Sequence, residues 1–371
     1  PLAPPPPPPP VVALDDLNQI VSDTPDVAPD LSTLLSPAFF SNVGPATPAE
    51  VRLPARAQVL SSLIIDSNYT LGEIRLVGQP NGTVLELPSS SYDTRSVGGA
   101  RTLQASGAYA SMSVGTPTVL MSVSPGAPVI TLIGLTLRGS LRVSGGRLAM
   151  HRCIFDGTGL RGADVGITVE GGEVTVNDSH IRGFANGGIV VTSGTFSMHH
   201  GSIMQNGMGD SSLFGGVEVR SPGGRVDLDG TLIEGNGRTS NECTDTIACV
   251  RGGGLRVSGS AADVRLSAGT LVRANQAYEG TAIYVDTFSC PWETIRYCAS
   301  DMLRYTLPAP LGHYVHADRA GVAYQLTTVV DTTYPYECDP GRYGNRTDTV
   351  DPLQLGAQNT PRCFSTCPPG Y

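Results

Sequence analysis

The chain contains no lysine, and charged residues of all kinds make up only 15% of its 371 positions. All 24 basic residues are therefore arginine, which excludes activities that need a lysine, such as Schiff-base chemistry or a phosphate-binding P-loop. The formal net charge of −9 argues against nucleic acid as a partner. No apolar run reaches the roughly 18 residues of a transmembrane helix, so the sequence predicts no membrane span.

Helix is disfavoured by the abundance of its two weakest formers, 45 Gly and 29 Pro, which cost about 1 and 3 kcal/mol in a helix interior. Pro4 to Pro10 form an unbroken run, which predicts a stiff polyproline II rod. We assign residues 1–50 to a proline-rich extended segment. This rod could act as a spacer, or as a docking or glycosylated segment.

From residue 51 onward, short β-branched runs alternate with Gly, Ser, Asn and Asp, which is typical of strands and turns. Three sets of strand-like segments recur in a fixed order, and their spacings change together, which indicates one repeating unit. Their anchors are Leu141, Ile167, Ile189, Val217, Leu255 and Ile283 in the first set, Leu148, Val174, Phe196, Val226 and Val264 in the second, and Ile154, Ile181, Ile203, Leu232 and Leu271 in the third. We therefore predict an all-β parallel β-helix over residues 51–288, with three strands per coil and one shared core.

Several segments resemble a known fold family. PVITLIGLTLRGS at 128–140 looks like a rung of the pectin-lyase-like right-handed parallel β-helices, and FANGGIVV, LFGGVEV and VRGGGLRV resemble coils of surface β-helix proteins. The resemblance covers about residues 60–288 and implies a fold rather than an activity, because this scaffold carries lyases, hydrolases, adhesins and inert rods.

Residues 289–371 differ in composition from the repeats. PLGHYVHAD, YECDPGRYGN and CFSTCPPGY resemble the cysteine-rich, ephrin-receptor-like modules of large secreted surface glycoproteins of algae and protists. CPPGY resembles the opening of another such module, so we expect the protein to continue beyond Tyr371.

Cysteines and glycosylation sequons together indicate an oxidising, extracellular setting. The predicted disulfides join Cys243 to Cys249, Cys290 to Cys298 and Cys338 to Cys363. Cys153 belongs to a strand set and is predicted to be buried and reduced. The predicted glycosylation sites are Asn68, Asn81, Asn177 and Asn345.

The predicted register also aligns polar residues on the outer face. One row contains His151, Asn177, His199, Asp229 and Ser267, and the next contains Arg152, Asp178, His200, Gly230 and Ala268. Stacking could bring Arg152, Asp178 and His200 together, and His beside carboxylate can bind a metal or transfer protons. The alternative is a solvated ladder of turn residues. A further set, Asn186, Asn206, Asn236 and Asn275, precedes the coil corners and predicts a structural asparagine ladder.

Enzymes of the resembled family use an Arg with acidic calcium ligands, or an Asp cluster with a Gly-His-Gly element, and neither group is present. Asp227 and Asp229 alternate on one strand and could act as paired carboxylates, although surface residues commonly show this pattern. We therefore assign no catalytic, cofactor-binding or metal-binding residue and no cofactor.

The expected function is a non-catalytic structural or adhesive module of an extracellular glycoprotein, in a cell-surface, cell-wall or mastigoneme-like flagellar filament assembly. The expected partners are other copies, other glycoproteins and glycans. The alternatives are a polysaccharide lyase or hydrolase and a glycan-binding module on the same fold.

Overall fold

The fold was examined in a computed structural model of the 371-residue chain. It describes residues 12–13, 35–38, 40, 48–53, 55–58, 62–86, 119–160, 165–239, 249–258, 262–267, 269–286, 303–306, 309–310, 313–315, 323–324, 329–340, 342–343 and 365–366. Pro4 to Pro10 therefore lie outside the described residues. No helix occurs in the described part of the chain, and none there could cross a membrane.

The regular secondary structure of the described residues consists of β-strands, most of them short. The first half of the sheet contains β1 (Val12–Ala13), β2 (Ala49–Arg52), β3 (Arg56–Gln58), β4 (Leu63–Ile65), β5 (Glu73–Val77), β6 (Thr83–Glu86), β7 (Val119–Val123), β8 (Val129–Ile133), β9 (Leu135–Arg138), β10 (Ser140–Val143), β11 (Arg147–His151), β12 (Ile154–Asp156) and β13 (Ile167–Val169). The remaining strands are β14 (Glu173–Arg182), β15 (Ile189–Met204), β16 (Val217–Glu234), β17 (Leu255–Ser258), β18 (Asp263–Ser267), β19 (Leu271–Arg273), β20 (Ile283–Asp286), β21 (Leu303–Tyr305), β22 (His313–Tyr314), β23 (Ala323–Tyr324), β24 (Val329–Val330), β25 (Tyr336–Glu337), β26 (Arg342–Tyr343) and β27 (Ser365–Thr366).

Twenty-three of these strands form a long, mainly parallel sheet that curls into a half-barrel, an arrangement compatible with a β-helix. β22 pairs with β25 and β26 with β27 in two separate antiparallel sheets. Parallel pairing links them into three stacks. One stack runs through β4, β7, β10, β13, β15, β16, β17 and β20, the second through β2, β5, β8, β11, β14, β15, β16, β18 and β21, and the third through β3, β6, β9, β12, β14, β15, β16 and β19. β14, β15 and β16 each bend around a corner and belong to more than one stack.

The observed register confirms the predicted anchors of the first and second sets. The third set was wrong by one residue at two steps, because Ile154 pairs with His180 and Ile203 pairs with Ile233. The physical reason is the core itself: the row that points inward is Phe155, Ile181, Ile203, Ile233 and Val272, all fully buried.

The core is a set of apolar ladders running along the stacks. In the second stack the predicted inward rows are confirmed, since Val174, Phe196 and Val226 are fully buried together with Val176 and Met198 two residues further on. A coil with three short strands cannot bury these side chains alone, so each coil depends on its neighbours for burial worth about 25 cal/mol per Å² of apolar surface. Gly172, with φ of +72°, turns one corner, and a Cβ there would lie 2.4 Å from the Gly146 carbonyl oxygen.

The sheet extends beyond the range 51–288 at both ends. At the start, β2 begins at Ala49 and pairs with β5, and Leu35 and Phe40 are buried in the core. At the other end, β21 continues the second stack by pairing in parallel with β18. Antiparallel segments then cover the last coil, with β24 on β20, β23 on β21 and Tyr334 bonded through its main chain to Val272. We call these antiparallel segments the cap.

Candidate functional site

The outer polar row predicted from the sequence is confirmed by the strand pairing. His151 pairs with Asn177, Asn177 with His199, His199 with Asp229 and Asp229 with Ser267. Within this row the side chains form two separate pairs. The Asn177 amide Nδ2 lies 3.2 Å from His151 Nδ1, and His199 Nδ1 lies 3.4 Å from Asp229 Oδ2. The row therefore offers one exposed histidine–carboxylate pair rather than a cluster.

The neighbouring row forms a corner of the coil. Arg152, Asp178, His200 and Gly230 all have left-handed backbones, with φ between 49° and 58°. The ion pairs of the described residues do not include one between Arg152 and Asp178. The His200 ring instead lies over Gly230, where an added Cβ would come within 2.5 Å of Nδ1. Ala268 lies outside the described residues. This row thus has a geometric role in turning the chain.

The paired carboxylates considered as an enzymatic alternative have different partners. Asp227 accepts a hydrogen bond from Arg225 Nε at 2.9 Å, along its own strand. Asp229 faces His199 with Oδ2, whereas its buried Oδ1 atom has no hydrogen-bond partner. The two carboxylates therefore differ in their partners: Asp227 is held by an arginine of its own strand, and Asp229 by a histidine of the preceding coil.

Other outward carboxylates are engaged by arginine from the next coil or the same strand. Arg142 forms a 2.6 Å ion pair with Glu170, and the hydrogen bonds from this guanidinium lower the pKa of Glu170. Glu218 is almost completely buried between Arg220 at 2.6 Å and Arg256 at 3.3 Å. Arginine suits such surface ion pairs, because its planar guanidinium group can donate two hydrogen bonds to one carboxylate.

A ladder of buried asparagines runs along one corner, as predicted. Asn206 donates from its backbone N–H and from Nδ2 to Asn236 Oδ1, both at 3.0 Å. Asn236 repeats this toward Asn275 Oδ1, both at 2.9 Å. Asn186 is not part of the ladder, since it accepts a hydrogen bond from Ser211 at an exposed site. The equivalent place in that coil is filled by Phe184, whose N–H donates to Asn206 Oδ1.

A second ladder, of small hydroxyl and thiol groups, follows the left-handed corner. Thr270 donates to the Leu228 carbonyl at 2.9 Å and accepts from the Thr231 N–H at 3.3 Å. Two coils before Thr231, with Gly201 at the position between, Ser179 accepts from the Cys153 N–H at 2.9 Å. Cys153 itself is buried and reduced, as predicted. These hydrogen bonds join residues of different coils, so the sequence alone does not indicate them.

A cavity of about 450 Å³ lies between the last coil and the cap. We call it the end pocket. Tyr314 and Tyr336 line one part of it, with ring centroids 5.6 Å apart. Asp331 is fixed at its mouth because Oδ1 accepts from the N–H groups of Gly280 and Thr281 at 2.7 and 3.1 Å. Residues separated by about 60 positions form this cavity, so no local motif could have indicated it.

The predicted modification sites are only partly within the described residues. Asn68 and Asn81 are exposed, whereas Asn177 is half-buried on β14. Cys249 and Cys338 are disulfide-bonded. The sites outside the described residues are Asn345, Cys243, Cys290, Cys298 and Cys363. Glycosylation and the disulfide pairing therefore stay predictions.

The described residues contain no group of three or more His, Cys, Asp or Glu side chains that could hold a metal ion. Comparison of the chain with protein-family models, with curated proteins and with solved structures gave no match.

Proposed function

We propose that this chain is a non-catalytic structural or adhesive module of an extracellular glycoprotein that belongs to a cell-surface, cell-wall or flagellar filament assembly. In this proposal the parallel sheet is part of a right-handed, pectin-lyase-like β-helix. A proline-rich extension precedes it, and a disulfide-rich, ephrin-receptor-like segment follows it. Its partners are other copies of the chain or other glycoproteins.

The polar groups of the coils support a mechanical role. Buried amides and hydroxyls bond from coil to coil along both corner ladders, as between Asn236 and Asn275 and between Thr231 and Thr270. Internal hydrogen-bond networks of this kind rigidify a structure. Nearest-neighbour stacking also transmits stiffness along the whole sheet, because each coil is held by the one before and the one after.

The observation that carries the assembly proposal is an exposed apolar corner formed by Met208, Leu213 and Tyr278. Their exposed fractions are 53%, 43% and 53%. Leu213 and Tyr278 lie on either side of one backbone segment, because the Leu213 carbonyl accepts from the Arg251 N–H and the Tyr278 N–H donates to the Val250 carbonyl. Met208 precedes Leu213 by five residues in the sequence. A contiguous apolar patch on a protein surface is a common mark of a contact site.

Charged residues at the rim of this corner favour a protein partner. Arg251 forms a 3.0 Å ion pair with Glu279, and its guanidinium lies 5.5 Å from the centre of the Tyr284 ring. Apolar and aromatic residues surrounded by arginine and carboxylates have the composition of a protein–protein interface. A second copy presents the same mixture of charges and can pair with it through opposite signs.

Sedimentation velocity tests this proposal. The secreted full chain is compared over a range of concentrations with the double variant Leu213→Ser/Tyr278→Ser. The matched control is Ile64→Ser, since Ile64 is 59% exposed on β4, outside the corner. We expect the wild type and the control to associate as concentration rises and the double variant to stay monomeric. A wild type that stays monomeric at all concentrations, or equal association of all three, contradicts self-association through this corner.

A second candidate function is polysaccharide cleavage, favoured by one observation. Asp229 has one oxygen 3.4 Å from His199 Nδ1 and one buried oxygen without a hydrogen-bond partner, so an imidazole and a carboxylate lie side by side on the coil surface. Incubation with acidic and neutral polysaccharides, followed by measurement of new reducing ends, tests it. Turnover that is lost in Asp229→Asn and kept in Asp227→Asn would favour the enzyme over the structural module.

A further inference from the structure

The asparagine ladder repeats one arrangement of donors and acceptors. In each of two successive rungs, the backbone N–H and the side-chain Nδ2 of one asparagine converge on a single amide oxygen of the next. Asn206 gives both hydrogen bonds to Asn236, and Asn236 gives both to Asn275. The remaining Nδ2 hydrogen donates to a carbonyl of the preceding coil, Ile181 and Ile203 respectively. Each rung therefore presents a pair of donors shaped for one amide oxygen.

Asn275 is the last rung, and it lines the end pocket. Its Oδ1 accepts from Asn236, and one Nδ2 hydrogen donates to the Ile233 carbonyl at 3.0 Å. Its backbone N–H and the other Nδ2 hydrogen have no acceptor among the described residues, although the residue is only 7% exposed. Because the rungs repeat, these two donors point along the stack, toward the cavity. Buried donors without acceptors are rare in native proteins and call for an explanation.

The other walls of the end pocket restrict the chemistry of a ligand. Tyr314 and Tyr336 offer aromatic surface, and Asp331 and Glu337 offer carboxylate oxygens. None of the described residues that line the cavity is basic. A sulfated or uronic ligand would therefore be repelled by the carboxylates of Asp331 and Glu337, with no arginine to offset the repulsion. Aromatic surface combined with a few fixed polar groups is typical of small-molecule sites, and about 450 Å³ lies in their usual size range.

We propose that the end pocket binds an N-acetylhexosamine residue of a glycan. The acetamido carbonyl accepts the two hydrogen bonds from Asn275, as the asparagine amide oxygens do in the rungs before it. The apolar face of the sugar ring lies against a tyrosine, and sugar hydroxyls donate to Asp331 and Glu337. This site goes beyond the structural role proposed above, since it would attach the end of the module to a carbohydrate.

Nuclear magnetic resonance and calorimetric titrations of the full chain test the proposal. The probe is the β-1,4-linked trimer of N-acetylglucosamine, and the comparison ligand is the corresponding glucose trimer, which lacks the acetamido group. We expect the first to bind about tenfold or more tightly than the second, because the second leaves two buried donors unpaired. We also expect the backbone amide signal of Asn275 to shift on binding.

Two variants locate the site. Glu337→Gln and Tyr336→Ala should each weaken binding about five- to tenfold through lost hydrogen-bond strength or ring contact. Ile64→Ala is the control, because Ile64 is 59% exposed on β4, outside both the pocket and the apolar corner, and it should bind like the wild type. Thermal unfolding of each variant checks that the fold is kept. Asn275 itself is left intact, since its replacement would also break the ladder.

Several outcomes would overturn the proposal. These are no binding of the N-acetylglucosamine trimer, equal affinity for both trimers, or binding that the two pocket variants leave unchanged. Binding of N-acetyl-asparagine methylamide without binding of either trimer would assign the pocket to a peptide instead. A failure here leaves the sedimentation test of the apolar corner unaffected, so the two proposals are judged separately.

Discussion

Replacement of Asn236 by alanine tests the asparagine ladder at its centre. The change removes the donor to the Ile203 carbonyl and the oxygen that accepts from both the N–H and the Nδ2 of Asn206. Asn206 and Asn236 are both fully buried, so water cannot replace these bonds without opening the corner. Asn236 Nδ2 also donates to Asn275 Oδ1, so four buried hydrogen bonds are lost in all, at about 1 kcal/mol each. We therefore expect a loss of about 3–5 kcal/mol in the free energy of unfolding.

The assay is equilibrium unfolding in urea, followed by far-ultraviolet circular dichroism. The comparison variant is Asn186→Ala, because Asn186 is also an asparagine near a corner but lies outside the buried ladder, where its amide oxygen accepts a hydrogen bond from Ser211 at an exposed site. We expect that variant to lose about 1 kcal/mol or less. The midpoint should shift while the slope stays constant, as for a change in stability alone. If Asn236→Ala unfolds within about 1 kcal/mol of Asn186→Ala, the ladder does not stabilise the stack as argued.

Three further predictions concern single residues. Burial raises the pKa of the Cys153 thiol, so iodoacetamide should label Cys153 only in denaturant, and rapid labelling of the native chain, read by peptide mass spectrometry, would contradict its burial. Arg142→Ala should cost less than about 1 kcal/mol at neutral pH, since the pair is largely exposed. Arg142 lowers the pKa of Glu170 in the folded state. The ion pair therefore stabilises the fold above the unfolded-state pKa of Glu170, and this contribution is lost as pH falls through the lower folded-state pKa. If urea unfolding showed the same free-energy loss for Arg142→Ala at every pH, the pair would not contribute as argued. Exposed Asn68 and Asn81 should carry N-glycans on protein from its source, and peptides that show no mass shift after glycosidase treatment would contradict this.

The strand register was predictable from the sequence where the apolar pattern was periodic. The inward rows around Val174 and Phe196 appeared as uninterrupted apolar columns, and a stacked core requires such columns. In the third set, the predicted anchor Leu232 was wrong by one residue at a corner of the chain. Leu232 and Ile233 are both apolar, so the sequence pattern could not tell which of them points inward. Only packing decides that Ile233 points inward.

The polar sites were less predictable, because their function depends on contacts between coils. The row from His151 to Ser267 was found by alignment, but its division into two pairs depends on side-chain geometry. The end pocket depends on Asp331 and Tyr336 folding back onto Asn275, a contact across about 60 residues. The spacing of a repeat predicts which residues pair between neighbouring coils. It does not predict how the non-repeating cap folds over the last coil.

Negative-stain electron microscopy of this protein, purified from its source as the full-length chain, tests the central claim most directly. The account predicts rods that join into filaments or lattices with a regular repeat, in which the corner of Met208, Leu213 and Tyr278 is covered by a neighbouring molecule. Dispersed single rods at all concentrations would contradict a structural assembly, and the polysaccharide assays with Asp229→Asn would then decide between the remaining functions.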